Sequence, residues 1–298
     1  NHWFLAWLGL ELNTLSILPI MMKHHHPRAT EATTKYFLIQ ATAAATILFA
    51  STINAWQTGH WSLMHNSSNT TTTLAAIAIM MKLGIAPMHL WYPEALQGTP
   101  MNTAMLISTW QKIAPLTFLY LLHSNLYPTM MLTIALISTA IGGWTGLNQT
   151  QTRKIMAFSS IAHMGWLLVA MSFNLHLATL TAVLYLITTA ATFTILSSTT
   201  TKTITDMGTT WTTSPTTLTT AMLTLLSLGG LPPLTGFLPK WLILNELTTV
   251  GLAPIGLMLL ATSMPSLFFY TRMAYMTTLT TPPTTTNTKL KWRLTTTL

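Results

Sequence analysis

The chain has 298 residues, of which 50% are hydrophobic and 6% charged, with 13 Lys and Arg against 5 Asp and Glu. So few charges cannot coat a soluble domain of this size. Cysteine is absent, which excludes disulfides, cysteine zinc sites, iron–sulfur ligation and thiol nucleophiles as chemistry of this chain.

Apolar runs of about 20 residues, long enough to cross a hydrocarbon core, recur along the chain. The expected fold class is therefore all-α, a polytopic transmembrane helix bundle. Nine crossings are predicted. The first four run over about Trp3 to Met22, Tyr36 to Trp56, Thr72 to His89 and Pro100 to Leu122. Pro128 to Leu147, Ile155 to Phe173 and Leu175 to Ser198 follow. The eighth, Pro215 to Leu247, would be about 50 Å long as a straight helix and must break or tilt. The ninth runs from about Gly251 to Met276. The chain enters an apolar stretch at once, with neither an initiator Met nor a basic leader, and reads as a fragment.

Positive charge tests the count, because alternate loops share a side and one side collects Lys and Arg. Lys23, Arg28, Lys35, Arg153, Lys154, Lys202, Arg272, Lys289, Lys291 and Arg293 all fall on one side. The loops around 57 to 69, 123 to 127, 174 and 248 to 250 hold no Lys or Arg. A miscounted crossing would scatter the basic residues over both sides. The net charge of +8 is thus a topology signal; contacts to anionic lipid fit it, and nucleic-acid binding, which needs a compact basic face, does not. The turn Lys23-His24-His25-His26-Pro27-Arg28 reads as an interfacial loop, since three adjacent histidines do not converge on one metal without special backbone geometry.

Three lysines, Lys82, Lys112 and Lys240, and one carboxylate, Glu11, lie inside predicted crossings. A charge near the bilayer centre costs roughly 2.5–3.5 kcal/mol on insertion and usually faces a wet or paired interior that handles ions or protons. Crossings three and eight also carry Gly and Pro beside a lysine, in Lys82-Leu83-Gly84-Ile85-Ala86-Pro87 and in Gly229-Gly230-Leu231-Pro232-Pro233-Leu234-Thr235-Gly236-Phe237-Leu238-Pro239-Lys240. Such breaks free backbone carbonyls, which a membrane tolerates only where protein or a cavity surrounds them. Crossing eight is fourth of the five from five to nine. Crossing three would be fourth of five if one helix preceded Trp3. The predicted organisation is an inverted repeat of five-helix units: 1–126, lacking its first helix, then 127–276, then a polar segment over 277–298. In that register Lys82 matches Lys240, and Glu11 matches His163. Ordinary proline kinks, lysines snorkelling or paired for structure, and a histidine bonding across helices remain open for each feature. Glu94, Glu246 and Asp206 lie near span ends or in a loop, where structural roles come first.

The stretch Lys82-Leu83-Gly84-Ile85-Ala86-Pro87-Met88-His89-Leu90-Trp91-Tyr92-Pro93-Glu94-Ala95 resembles the signature of the antiporter-like membrane subunits of respiratory NADH:quinone oxidoreductase. So do Ser159-Ser160-Ile161-Ala162-His163-Met164-Gly165-Trp166 and Gly230 to Lys240. Gly9-Leu10-Glu11-Leu12-Asn13 and Thr109-Trp110-Gln111-Lys112-Ile113-Ala114-Pro115 narrow the resemblance to the mitochondrial, vertebrate type, truncated at both ends. It implies a proton-translocating subunit of the mitochondrial inner membrane, part of the NADH:ubiquinone reductase translocase (complex I). Glu11 and Lys82 would be the coupling pair, Lys112 would lie between half-channels and Lys240 on the route to the far half. His163 would join them through water. The resemblance places NAD, FMN, iron–sulfur and ubiquinone chemistry in other subunits, with no cofactor in this chain. It implies as partners the other membrane-arm subunits, especially the antiporter-like chain 4 and chain 4L, supernumerary subunits, and anionic lipid such as cardiolipin. Two alternatives stand beside it: a stand-alone secondary cation/proton antiporter, and a non-pumping membrane scaffold.

Overall fold

Six helices are each long and apolar enough to cross a membrane unaided: α1 (Trp3–Met22), α2 (Pro27–Thr58), α7 (Pro128–Leu147), α8 (Thr152–Phe173), α9 (Leu175–Ser198) and α13 (Ala253–Thr278). The other three expected crossings are assembled from shorter pieces. These are α3 (Asn69–Leu83) with α4 (Trp91–Gly98), α5 (Met101–Ser108) with α6 (Trp110–Leu122), and α11 (Pro215–Gly229) with α12 (Phe237–Thr249). A short α10 (Ile204–Thr209) lies between α9 and α11. The computed structural model describes residues 2–23, 25–63, 69–210 and 215–278; His24 and the polar segment from residue 279 onward lie outside the described residues. The chain is an integral membrane protein, and the described part is an all-α bundle.

Local chemistry accounts for the helix ends. Pro27 and Pro128 occupy first-turn positions, where a missing N–H is harmless. Gly59, at φ +72°, closes α2 in the left-handed conformation. The many threonines mask their own polarity by returning their hydroxyls to carbonyls one turn back, as Thr117 does to Ala114 and Thr188 to Leu184. Such a side chain presents mainly its methyl group to lipid.

Two expectations need correction. Crossing three does not end at His89, because the chain resumes as α4 after the break. Crossing four is not one helix: at Thr109 the backbone departs (φ −113°, ψ −73°), and the Lys112 N–H bonds to the Thr109 carbonyl, leaving the Ser108 carbonyl without its helical partner. No Gly marks that break, so the apolar pattern ran through it.

Segments that the crossing count puts on one face touch each other. Near one end, His2 bridges to Ser62 and the Trp3 N–H donates to the Trp61 carbonyl. At the other end Gln151 bridges to Thr203, Lys35 pairs with Glu94 at 2.8 Å, Arg153 donates to the Thr99 carbonyl, and Arg272 donates to the carbonyls of Leu147 and Gln149.

Helix α8 is the axle, buried along nearly its whole length. It lies close against α7 because the crossing uses glycine: a Cβ on Gly165 would fall 2.5 Å from Ser138 Oγ, and one on Gly142 2.7 Å from the Ala162 nitrogen. The buried apolar side chains form two clusters, one toward each end of the bundle. The first holds Leu10, Leu83, Leu116, Met164 and Ile243; the second holds Ile17, Trp91, Ile107, Ile161 and Leu228. Four of the five candidate residues fall where the chain passes between the clusters: Glu11 between Leu10 and Ile17, Lys112 between Ile107 and Leu116, His163 between Ile161 and Met164, and Lys240 between Leu228 and Ile243. Lys82 lies near the end of a first-cluster stretch, between Met80 and Leu83 and ahead of Trp91 of the second.

Candidate functional site: a polar layer between two apolar cores

The layer begins at the first broken helix. Helix α3 ends with Gly84 at φ +70°, and the Ile85 N–H reaches back to the Met80 carbonyl, the six-to-one bond of a Schellman cap. The carbonyls freed by the break find neutral partners. Gln40 Nε2 donates to the Lys82 carbonyl at 3.3 Å, and Trp91 Nε1 to that of Met81 at 3.1 Å. Lys82 therefore keeps its ammonium for something else. Its side chain is 1% exposed, and Nζ lies 3.9 Å from Glu11 Oε2, whose side chain is 22% exposed. Neither atom makes a hydrogen bond within the described residues. At 3.9 Å the two are Coulomb partners but too far apart for a direct hydrogen bond.

A cavity of about 10 Å³, lined by Tyr36, Gln40, Lys82, Gln111 and Lys112 among others, leads from this pair to the next lysine. That is about the space one water needs. Lys112 is buried in turn, and its Nζ donates to Tyr185 Oη at 3.1 Å. The rings of Tyr92 and Tyr185 lie 4.7 Å and 5.1 Å from the ammonium, within cation–π range. Tyr185 donates its own proton to the orphaned Ser108 carbonyl at 3.2 Å.

The second broken helix repeats the first cap: Gly230 has φ +82°, and the Leu231 N–H bonds to the Leu226 carbonyl. Its lysine is placed differently. Lys82 precedes its glycine by two residues, whereas Lys240 follows the break on α12 and reaches back to donate to the Gly229 carbonyl at 2.9 Å. The broken helix recurs, but not the lysine's place in it. Lys240 shares a cavity of about 40 Å³ with His163, Trp166, Tyr185 and Ser227, which is room for a few waters. His163 Nδ1 lies 2.7 Å from the Ser159 carbonyl of its own helix, and the imidazole also meets the Leu228 backbone of α11. Its ring centroid is 5.7 Å from that of Tyr185.

The five residues expected from the sequence thus lie in one layer, joined by an ion pair and two cavities, and no two lysines touch. Sequence reasoning missed Tyr185, Tyr92 and Gln40. A tyrosine in the middle of the Leu, Thr and Ala run of α9 was a signal, weaker than a charge because a phenol is tolerated in apolar surroundings. The layer can hold, shield and pass protons between amines, a carboxylate and hydroxyls.

A family model for the NADH:quinone oxidoreductase/Mrp antiporter transmembrane region matches residues 1–268. The chain belongs to that family. A second model, for the C-terminus of NADH dehydrogenase subunit 2, matches residues 267–298. Among relatives of this family member, NADH-ubiquinone oxidoreductase chain 2 of Carassius auratus is 51% identical over 297 residues, 100% of this chain and 85% of that one. The chain 2 protein of Gallus gallus is 50% identical over 298 residues, 100% of this chain and 86% of that one. A subunit of respiratory complex I from Thermus thermophilus superimposes with a TM-score of 0.87 at 25% identity, over 94% of this chain and 67% of its own. A chain of the Mrp complex of Dietzia shares the fold, with a TM-score of 0.85 at 16% identity, over 92% of this chain and 56% of its own.

Proposed function

We propose that this chain is a proton-translocating membrane subunit of the NADH:ubiquinone oxidoreductase of the mitochondrial inner membrane. In this reading it moves protons through the Glu11, Lys82, Lys112, His163 and Lys240 layer, driven by redox chemistry in other subunits. The observation that carries it is that Glu11, Lys112, His163 and Lys240 lie where the chain passes between two apolar clusters, with buried Lys82 facing Glu11. Buried charge is expensive, and three lysines with one carboxylate are far more than packing requires.

The chemistry follows from the partners. A buried amine favours its charged form when a carboxylate is near and its neutral form when the carboxylate is remote or protonated. Glu11 and Lys82 make such a switch, since moving one carboxylate changes the proton affinity of the amine it faces. Lys112 faces hydroxyls and aromatic rings, and Lys240 a backbone carbonyl, so neither has a carboxylate partner among the described residues. Water in the two cavities carries the exchange between them. The subunit associates with other subunits of the complex, among them the antiporter-like chain 4 and chain 4L, and anionic lipid meets its basic loops on the matrix side. No redox centre belongs to this chain.

Lys112→Met in the assembled enzyme, reconstituted in sealed vesicles, tests the reading. Lower proton-to-electron stoichiometry with assembly retained supports it. Unchanged stoichiometry in an assembled enzyme would put the scaffold reading ahead.

A further inference from the structure

We propose that Tyr185 is the relay that joins the two halves of the polar layer; the inference rests on the proton-route reading above and assigns that route its central link. The two cavities share no lining residue: the first ends on Lys112, and the second begins with Tyr185 and His163. A direct contact that spans them is the hydrogen bond from Lys112 Nζ to Tyr185 Oη. Tyr185 is buried and seated in an apolar cluster, with its ring centroid 5.1 Å from the Lys112 ammonium and 5.7 Å from that of the His163 ring.

A phenol is suited to this place because it accepts and donates at one atom. With Lys112 charged, the ammonium can only donate, so Tyr185 oxygen accepts from it and leaves its own O–H for the Ser108 carbonyl 3.2 Å away. The transfer balances. The Tyr185 O–H turns from the Ser108 carbonyl toward the larger cavity and gives its proton to a water or the His163 imidazole there, as an N–H proton of Lys112 passes to the Tyr185 oxygen. Tyr185 is neutral before and after, Lys112 becomes a neutral amine, and one positive charge has crossed from the first cavity to the second. The proton received from Lys112 faces the neutral amine, whose lone pair accepts the new Tyr185 O–H; when Lys112 is charged again that O–H returns to the Ser108 carbonyl. The orphaned carbonyl left by the Thr109 break therefore gives the phenol its resting orientation while Lys112 is charged.

The test compares Tyr185→Phe with Lys112→Met in the complete enzyme in sealed vesicles, reading the proton-to-electron ratio. The ring stays and one oxygen goes. The expected result is that Tyr185→Phe lowers the ratio to the Lys112→Met value and that the double variant is no lower than either. A wild-type ratio in Tyr185→Phe beside a lowered one in Lys112→Met overturns the relay and leaves the proton route standing. Wild-type ratios in both overturn the route itself. If Tyr185→Phe does not assemble, a water-resolving structure of the unaltered enzyme decides. A Tyr185 hydroxyl interposed between two separate water clusters supports the relay, and a continuous water file from Lys112 to His163 that bypasses it overturns the relay.

Discussion

Replacing Gly230 with alanine tests whether the second helix break exists to seat Lys240. At φ +82° a residue with a Cβ is strained, by about 1–2 kcal/mol. The added methyl carbon would also stand 2.9 Å from Lys240 Nζ, forcing the ammonium off the Gly229 carbonyl. A hydrogen bond from a charged group contributes about 1.5–3 kcal/mol. Bearing the strain and losing the bond, the variant site is less stable than the unaltered one by about 2.5–5 kcal/mol, on the order of 100- to 5,000-fold. In assembled enzyme, Gly230→Ala should lower the proton-to-electron ratio as Lys240→Met does, and adding Lys240→Met to it should cause no further loss. A Gly230→Ala enzyme with the wild-type ratio and Lys240 still on the Gly229 carbonyl would refute the reasoning.

Two further outcomes are expected. Because the chain has no cysteine, single cysteines at positions 60 and 202 should react with an impermeant thiol reagent from opposite sides of the membrane; labelling from the same side would undo the crossing count. Burial opposes ionisation of Asp206, but the backbone N–H and side chain of Thr203 and the N–H of Lys202 outweigh it and hold the carboxyl below its ordinary value. The capping box at α10 therefore gives stability that is present above the unfolded carboxylate pKa and lost as pH falls through the lower folded one. Amide protection over 203–209, relative to the intrinsic exchange rate at each pH, should fall on acidification below that range, and in Asp206→Ala it should already be low at neutral pH, a cap loss of about 1 kcal/mol.

The crossings were legible because burial in lipid demands apolar length, and the basic loops made the count check itself. The two Gly/Pro breaks were legible because glycine and proline state backbone geometry directly. The break at Thr109 was not, since it comes from a rerouted Lys112 N–H in a run whose residues all suit a helix. Charged members of the layer stood out against an apolar background. Tyr185 and Gln40 did not, because their importance comes from which carbonyls and amines the fold brings to them, a fact of packing between helices 73 and 42 residues apart in sequence. The differing placement of Lys82 and Lys240 was hidden for the same reason: spacing from a glycine does not say where a long side chain reaches.

Proton transfer by the buried charges is tested most directly at Lys82, the lysine that faces the one intramembrane carboxylate. The measurement is the ratio of protons moved to electrons transferred by assembled Lys82→Met enzyme in sealed vesicles. The expected result is a folded, assembled enzyme whose ratio or coupled turnover is lowered. Normal NADH oxidation at an unchanged ratio would contradict a proton-carrying role for Lys82.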